Sequence, residues 1–202
     1  MLTIGLTGPS GAGKGLVASL CAGYGIPSID TDAVYHQLLI PPSACLDELA
    51  ARFGSGILCP DGTLNRKALA HRVFSAGNES DHEDLNRITH RYVLDRVRVM
   101  LRDFSSGTCP AVLVDAPLLF ESGFDRDCDK VLAVLAEPDI RLSRIMARDA
   151  LTREQARERM RAQKPDSFYI RRADAVIYNN GSPEEPAAAV RALLSRWGVV
   201  RL

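Results

Sequence analysis

The amino-acid sequence predicts an α/β protein whose core is a doubly wound, parallel, five-stranded sheet. Short apolar segments alternate along the chain with longer segments in which apolar residues recur three or four apart, as they do in helices. Two short segments, AVLVDA and KVLAVLA, are nearly continuous apolar runs, as expected where helices cover both faces of a sheet. The first segment, LTIGLT, leads straight into a glycine-rich turn and a helical pattern. The predicted strands are residues 2–7, 26–30, 111–116, 130–136 and 173–179.

The predicted helices follow from the same periodicity and from the residues that end helices. The segment TDAVYHQLL should end before Pro41 and Pro42, because proline lacks a backbone donor and disfavours helix in the residue before it. The last apolar segment has acidic residues at its start and Gly198 just after its end, as helices do. Helices are predicted over residues 16–25, 31–39, 44–54, 65–75, 81–104 and 182–198.

Length and composition predict one globular unit. A chain of 202 residues, 46% of them hydrophobic, can bury a substantial core but hardly supports two independent domains. Residues 43–106 are predicted to be helical throughout, and such a block between strands suggests an inserted substrate-binding region. Residues 138–172 are arginine-rich and are predicted to form a helical lid. The core is then predicted to consist of residues 1–42, 107–137 and 173–202.

Charge, hydropathy and cysteine content exclude several classes of protein. Basic and acidic residues number 25 each, so no overall positive field favours nucleic acid or an anionic membrane. No apolar stretch approaches the roughly 20 residues that span a bilayer. The cysteines are scattered and lack zinc-ligand spacing, which favours reduced thiols. We therefore expect a soluble, cytoplasmic protein with no nucleic-acid or membrane partner. The cysteines are Cys21, Cys45, Cys59, Cys109 and Cys128.

The glycine-rich turn carries the strongest functional signal. Gly8 to Lys14, GPSGAGK, fits the pattern GxxxxGK between a predicted strand and a predicted helix. Glycines permit dihedrals that turn backbone N–H groups inward around phosphate oxygens, and the helix adds the positive end of its dipole. Lys14 would then reach the β- and γ-phosphates of a nucleoside triphosphate. The alternative is a glycine-rich turn with a surface lysine. The motif predicts a P-loop NTPase fold, with nucleotide contacts from Gly8, Gly11, Ala12, Gly13, Lys14, Gly15 and Leu16.

The residues after Lys14 depart from the usual motif. A serine or threonine normally follows the lysine and contacts Mg²⁺, but here Gly15 and Leu16 follow it. Neither has a hydroxyl, which argues against direct metal coordination by this loop. Asp115 ends an apolar strand, the usual position of an acid that contacts the magnesium of a nucleotide directly or through water. We therefore predict Asp115 as the metal-contacting residue.

Two aspartates lie where the second predicted strand meets its helix. The carboxyl ends of strands face the ligand crevice in open α/β sheets, so Asp30 or Asp32 could reach a transferring phosphoryl group. A carboxylate that accepts or orients the proton of the acceptor hydroxyl is a recurring part of phosphoryl transfer, and Asp32 is the candidate for this role. The alternative is that one aspartate, or Thr31, caps the helix.

Arginines on one predicted helix face suggest a lid that closes on phosphate. Arg141, Arg144 and Arg148 recur at i, i+3 and i+7 and therefore share a face. Guanidinium groups bind phosphate in bidentate fashion and offset the charge that develops during transfer. The alternative is a solvated helix with charge pairs, the preferred interpretation for Arg153, Arg157 and Arg161. Arg144 and Arg148 are predicted to be catalytic.

Four segments in order, spread over the whole chain, resemble the dephospho-CoA kinases. The resemblance implies transfer of the γ-phosphoryl group of ATP, with Mg²⁺, to the ribose 3′-hydroxyl of dephospho-CoA. The products would be coenzyme A and ADP, in the last step of coenzyme A synthesis. The sequence leaves the choice between a monomer and a small homo-oligomer open. The segments are GLTGPSGAGK, IDTDAVYHQLL, VDAPLLFESG and RADAVIYNNG.

The same resemblance assigns residues to the two substrates. Arg66, Asn86 and His90 would lie around the coenzyme A precursor, although family members often have proline where this chain has Arg91. By itself His90 would more often be an ordinary packing histidine. Asp32 would contact the acceptor, whose site would be shaped by Asp115, Pro117, Leu118, Leu119, Phe120 and Glu121. The nucleotide would be covered by Arg148, with Arg159 and Gln163 in a second lid helix, and Asn179 near the adenine.

Two rival functions remain open at this point. GPSGAGKG and DAVY closely resemble segments of cytidylate kinase, which suggests a nucleoside monophosphate kinase. VDAPLLFE argues against it. The loss of hydroxyls at Gly15 and Leu16 suggests, as a second rival, a nucleotide-binding regulator with little turnover. The joint presence of Lys14, Asp32, Asp115 and the arginine face argues for catalysis.

Overall fold

A computed structural model of the protein describes residues 1–74, 79–182 and 184–200. The chain divides into two compact units, one of Met1–Ile29 with Asp103–Leu202 and the other of Asp30–Arg102. The predicted helices at 65–75 and 182–198 and the predicted core to residue 202 reach into residues that lie outside the described ones. The structure describes no helix both long enough and apolar enough to cross a bilayer.

The sheet has five strands in the order β2-β3-β1-β4-β5. β1 pairs in parallel with β3, where Leu2 faces Ala111, and with β4, where Ile4 faces Lys130. β4 pairs in parallel with β5. The predicted parallel, doubly wound sheet is confirmed. The strands are β1 (Leu2–Thr7), β2 (Ser28–Asp30), β3 (Ala111–Asp115), β4 (Lys130–Leu135) and β5 (Ala175–Tyr178).

Helices cover the central strands of the first unit. The helices α1 (Lys14–Ala22) and α9 (Glu184–Arg196) pack on the sheet through Val17, Val190 and neighbouring apolar residues. This packing explains why β3 and β4 read as continuous apolar runs, since almost every residue in them is buried. The arginine-rich segment of this unit forms α6 (Pro138–Asp149), α7 (Arg153–Arg161) and α8 (Asp166–Ile170).

The second unit is mainly helical and has its own core. Leu49, Leu69 and Ile88 are among the buried side chains at its centre. Arg52 joins Asp81 and Asp84 across this unit at 2.7 Å and 2.6 Å. Its helices are α2 (Thr31–Leu38), α3 (Ala44–Phe53), α4 (Arg66–Phe74) and α5 (Glu79–Ser105), the last of which runs on past Arg102.

The prediction that residues 43–106 are helical throughout is wrong between α3 and α4. Ser55–Ile57 form a single 3₁₀ turn, and Leu58 pairs with Leu64 in an antiparallel bridge. The cause is the segment Pro60–Asp61–Gly62, because the Asp61 carboxylate accepts hydrogen bonds from both the backbone and the hydroxyl of Thr63. Gly62 supplies the positive φ of 80° that this turn requires.

Candidate active site

The glycine-rich loop connects β1 to α1 and has the backbone of a phosphate cradle. Gly8, Gly11 and Gly13 have φ angles of 141°, 79° and 98°, which side chains rarely permit. Gly13 caps α1 without a side-chain hydrogen bond, and the first turn of this helix contains no acidic residue. The positive end of the helix dipole therefore lies at the loop, and no carboxylate in the first turn of α1 offsets it.

Lys14 begins α1 and folds back along the loop. Its Nζ atom donates a hydrogen bond to the carbonyl oxygen of Gly8 at 3.1 Å. The side chain is half-buried. The geometry keeps an ammonium group over the loop, in the position from which the motif predicts that it contacts phosphate.

Replacement of Gly13 by alanine is expected to abolish nucleotide binding while leaving the sheet intact. A Cβ atom at this position would lie 2.1 Å from Nδ2 of the buried Asn179, and the φ of 98° adds backbone strain. We expect the Kd for ATP to rise more than about 100-fold, since a clash and a positive φ together cost roughly 3 kcal/mol. Calorimetric titration with ATP measures this. The matched control is Gly15→Ala, where the added Cβ meets nothing within 4 Å and affinity should be kept.

The predicted arginine face of α6 is confirmed, and all three arginines turn toward the loop. Nε of Arg141 donates to the carbonyl oxygen of Ser10 at 3.1 Å. Nη1 of Arg144 approaches the carbonyl oxygens of Gly11 and Ala12, both at 3.4 Å. Nη2 of Arg148 donates to the Ser10 hydroxyl at 3.1 Å. Three successive turns of one helix therefore line the phosphate loop with positive charge.

Asn179 lies against the loop as well. Its Nδ2 donates to the carbonyl oxygen of Ala12 at 2.9 Å, and its backbone carbonyl oxygen accepts from Nη1 of Arg144 at 3.0 Å. The side chain is 2% exposed. These contacts make Asn179 a brace for the loop backbone, and its assignment to the adenine stays a prediction. Sequence spacing could not reveal this contact, because 167 residues separate Asn179 from Ala12.

Arg148 belongs to a chain of ion pairs. Its Nε and the Nη1 of Arg159 both contact the carboxylate of Asp149, each at 2.8 Å. The hydrogen bond from Arg148 lowers the pKa of Asp149, and the carboxylate in turn raises the pKa of Arg148. Arg148, Arg159 and Gln163 were all assigned to the lid by resemblance, and the structure connects the first two through Asp149.

Asp115 ends β3, next to β1 in the sheet. Leu6 is its register partner on β1, so Asp115 lies level with the residue two positions before Gly8, where the loop begins. Its Oδ1 atom is buried. The described residues contain no cluster of three or more side chains suited to a metal ion. A single carboxylate nevertheless fits Mg²⁺ bound to a nucleotide, because this ion keeps several waters and takes most other ligands from phosphate.

The segment after Asp115 divides between core and surface. Leu119 is fully buried, and its methyl groups lie about 3 Å from where a side chain on Gly5 would begin. Phe120 is 6% exposed and packs edge-on against Phe168, with ring centroids 5.6 Å apart. Leu119 and Phe120 therefore belong to the packed interior, and their part in shaping the acceptor site stays a prediction. Leu118 and Glu121 are exposed, and the carbonyl oxygen of Pro117 accepts a hydrogen bond from Thr7.

The second unit contains the remaining predicted residues. Asp30 is the residue that caps α2, since its carboxylate accepts from the backbone N–H groups of Asp32 and Ala33 at 2.8 Å and 3.1 Å. This settles which aspartate has the capping role. Asp32 lies in the first turn of α2 with an exposed side chain, so its carboxylate is accessible to a ligand.

The residues assigned to the coenzyme A precursor lie on two helices of this unit, α4 and α5. Arg66 begins α4, is exposed, and its Nη2 lies 2.9 Å from Nδ1 of His36 on α2. His90 on α5 is half-buried, and burial lowers the pKa of its imidazole, which favours the neutral form. Asn86 lies one turn before His90 on the same helix, with its Nδ2 3.5 Å from Nδ1 of His82. The assignment of these residues to a substrate stays a prediction.

Comparison with known proteins identifies the family. The family model for dephospho-CoA kinase matches residues 2–185. The dephospho-CoA kinase of Syntrophotalea carbinolica is 39% identical over 196 residues, which are 97% of this chain and 92% of that protein.

Two solved structures are similar over nearly the whole chain. The protein TT1252 of Thermus thermophilus is 34% identical with a TM-score of 0.79, and the match covers 96% of this chain and 97% of that one. The dephospho-CoA kinase of Campylobacter jejuni is 25% identical with a TM-score of 0.68, over 97% and 98% of the two chains. The chain belongs to the dephospho-CoA kinase family of P-loop kinases.

Proposed function

We propose that this protein transfers the γ-phosphoryl group of ATP to the ribose 3′-hydroxyl of dephospho-CoA, giving coenzyme A and ADP. The observation that carries the proposal is the phosphate loop with its three positive-φ glycines, Lys14 and three arginines of α6, in a chain of this family. The loop supplies the phosphate site and the family supplies the acceptor.

The positive groups around the loop would hold the triphosphate and stabilise the transition state. Backbone N–H groups of the loop would cradle the β-phosphate, and Lys14 would contact the β- and γ-phosphates. Arg144 and Arg148 offset the charge on the transferred group. Arg148 would exchange its contact with Asp149 for one with phosphate. The contacts from the backbone N–H groups, Lys14, Arg144 and Arg148 would strengthen during transfer. Negative charge then moves onto the oxygen that bridges the β- and γ-phosphates.

Asp32 would act on the acceptor. In the proposed step the 3′-oxygen forms a bond to the γ-phosphorus while the bond from that phosphorus to the β–γ bridging oxygen breaks. The electron pair stays with ADP, and the proton of the hydroxyl passes to the carboxylate of Asp32. An exposed carboxylate in the first turn of α2 is free for this role because Asp30 already caps the helix.

Magnesium would be held by the nucleotide, water and Asp115. When bound, Mg²⁺ neutralises part of the phosphate charge. Asp115 would hold it directly or through water, since Gly15 lacks the usual hydroxyl. Asp115 would therefore contribute more to Mg²⁺ binding here than in proteins whose loop carries a serine or threonine.

Replacement of Gly15 by serine is expected to lower the Mg²⁺ concentration needed for half-maximal activity. A side chain at this position enters open space, so the hydroxyl can be added without a clash. One added hydroxyl ligand should lower the half-saturating concentration by about fivefold, a change of roughly 1 kcal/mol. Initial rates over a magnesium titration measure it.

The control for this change is Gly15→Ala. Alanine raises helix propensity over glycine by roughly 1 kcal/mol, at least as much as serine does, without adding a metal ligand. An equal shift in both variants would show that helix stability is the cause and that the loop does not approach the metal.

The proposed acceptor position is tested by the product. Dephospho-CoA and ATP are incubated with the protein and magnesium, and the product is examined by ³¹P nuclear magnetic resonance. A new phosphomonoester coupled to the ribose 3′ proton is the expected result. A phosphate on any other hydroxyl would contradict the assignment of the acceptor.

A further inference from the structure

Both hydrogen-bonding groups of the Ser10 backbone are held by a pair of side chains from the lid. The N–H of Ser10 donates to Oε1 of Gln163 at 3.2 Å, and the carbonyl oxygen of Ser10 accepts from Nε of Arg141 at 3.1 Å. The same Oε1 of Gln163 accepts from Nη2 of Arg141 at 2.7 Å. The pair Arg141 and Gln163, which we call the clasp, therefore closes a ring around one residue of the phosphate loop.

The burial of Arg141 gives the clasp a fixed geometry. Its side chain is 7% exposed, and burial lowers the pKa of the guanidinium while Asp166, 3.4 Å away, offsets the lost hydration. Each of its three nitrogens is directed to a different acceptor, namely Ser10, Gln163 and Asp166. A buried guanidinium in which every nitrogen is hydrogen-bonded is a rigid support, because a displacement breaks a hydrogen bond of a buried charged group.

Ser10 is a position where such support matters. It precedes Gly11, whose φ is 79°, and glycine brings a large conformational entropy to the loop. A loop that must point several N–H groups at one phosphate binds it more tightly when these groups are already ordered. Within the clasp, Gln163 lies at the junction of α7 and α8, so the position of that junction is coupled to the conformation of the loop.

We propose that Gln163 is a positioning residue for the phosphate loop, which orders the Ser10 peptide before ATP binds and couples the loop to the lid helices α7 and α8. The inference rests on the proposed function for the identity of the nucleotide. Gln163 follows the end of α7, and its own N–H bonds to Met160, so a simple structural role in ending that helix is the alternative.

The test compares Gln163→Leu with Gln163→Glu and Gln155→Leu. Leucine removes the acceptor, whereas glutamate keeps an oxygen for both donors. Gln155 is the matched control, because it is also a glutamine of the lid whose Oε1 accepts one backbone N–H, that of Thr152 at 2.9 Å, within the capping box of α7. Steady-state kinetics, the Kd for ATP measured by calorimetry without acceptor, and Tm are determined for each variant.

We expect Gln163→Leu to raise both the KM and the Kd for ATP about tenfold, the effect of losing one or two hydrogen bonds, while kcat changes less than about threefold. Gln163→Glu should restore the affinity to within about threefold of the parent. Gln155→Leu should lower Tm and leave the affinity for ATP unchanged. A loss of ATP affinity in Gln163→Leu that Gln155→Leu does not share indicates a positioning role. A lower Tm with unchanged ATP affinity indicates a structural role.

An unchanged Kd for ATP in Gln163→Leu overturns the inference, as does an equal loss of affinity in Gln155→Leu. A parent protein that binds ATP but does not phosphorylate dephospho-CoA counts against the proposed function instead. The calorimetric comparison of the variants still decides the inference in that case, since it requires no acceptor.

Discussion

Replacement of Lys14 by alanine is expected to lower kcat/KM about 1,000-fold, the largest single effect in the phosphate loop. Removal of one preorganised charge donor from a transition state typically costs a factor of 10²–10³, and this ammonium would contact two phosphates. It already lies over the loop, 3.1 Å from the carbonyl oxygen of Gly8. Initial rates with ATP, magnesium and dephospho-CoA measure the effect.

Lys130→Ala is the matched control for this variant. Lys130 begins β4 and pairs loosely with Asp174 at 3.8 Å, at the amino end of a strand, whereas the loop follows the carboxyl end of β1. Its loss should change kcat/KM less than about twofold, as exposed ion pairs contribute little. If Lys14→Ala retains more than a tenth of the parent kcat/KM, Lys14 does not have the proposed catalytic role.

Asp32→Asn is expected to lower kcat by a factor of roughly 10²–10⁴ with little change in the KM for ATP. Asparagine has nearly the same size but does not take up the proton of the acceptor hydroxyl. The exposed position in the first turn of α2 makes a loss of stability a poor explanation for a large effect. Measurements of kcat, of KM for both substrates and of Tm distinguish a loss of proton transfer from a loss of stability.

Asp30→Asn separates chemistry from capping. Asparagine caps helices about as well as aspartate, so α2 should be preserved in this variant and kcat should stay within about threefold of the parent. An equal fall in kcat in both variants would indicate a general effect of negative charge at the start of α2. Full activity in Asp32→Asn would mean that another group accepts the proton.

The sheet could be predicted from the sequence because burial imposes a simple pattern. β3 and β4 are covered on both faces, so almost every residue in them is apolar. The arginine face of α6 was predictable for a similar reason, since spacing alone fixes which side chains share a helix face. The interruption at residues 54–65 was missed because helical periodicity was extended across Pro60 and Gly62, two residues that favour a turn.

The candidate site was predictable only where its parts are local in sequence. The phosphate loop is contiguous, so its glycines and Lys14 could be assigned from one motif. The clasp and the brace from Asn179 depend on contacts across 153 and 167 residues, which no spacing rule reveals. The capping question at Asp30 and Asp32 also needed coordinates, because both residue positions suit a cap equally well.

The measurement with most bearing on the proposed activity is ADP release in the presence of ATP and magnesium, compared among dephospho-CoA, CMP and no acceptor. We expect turnover with dephospho-CoA alone, and its loss in Lys14→Ala. Turnover with CMP and none with dephospho-CoA would contradict the assignment and make the protein a nucleotide kinase. No release with either acceptor, in a protein that still binds ATP, would instead indicate a nucleotide-binding regulator.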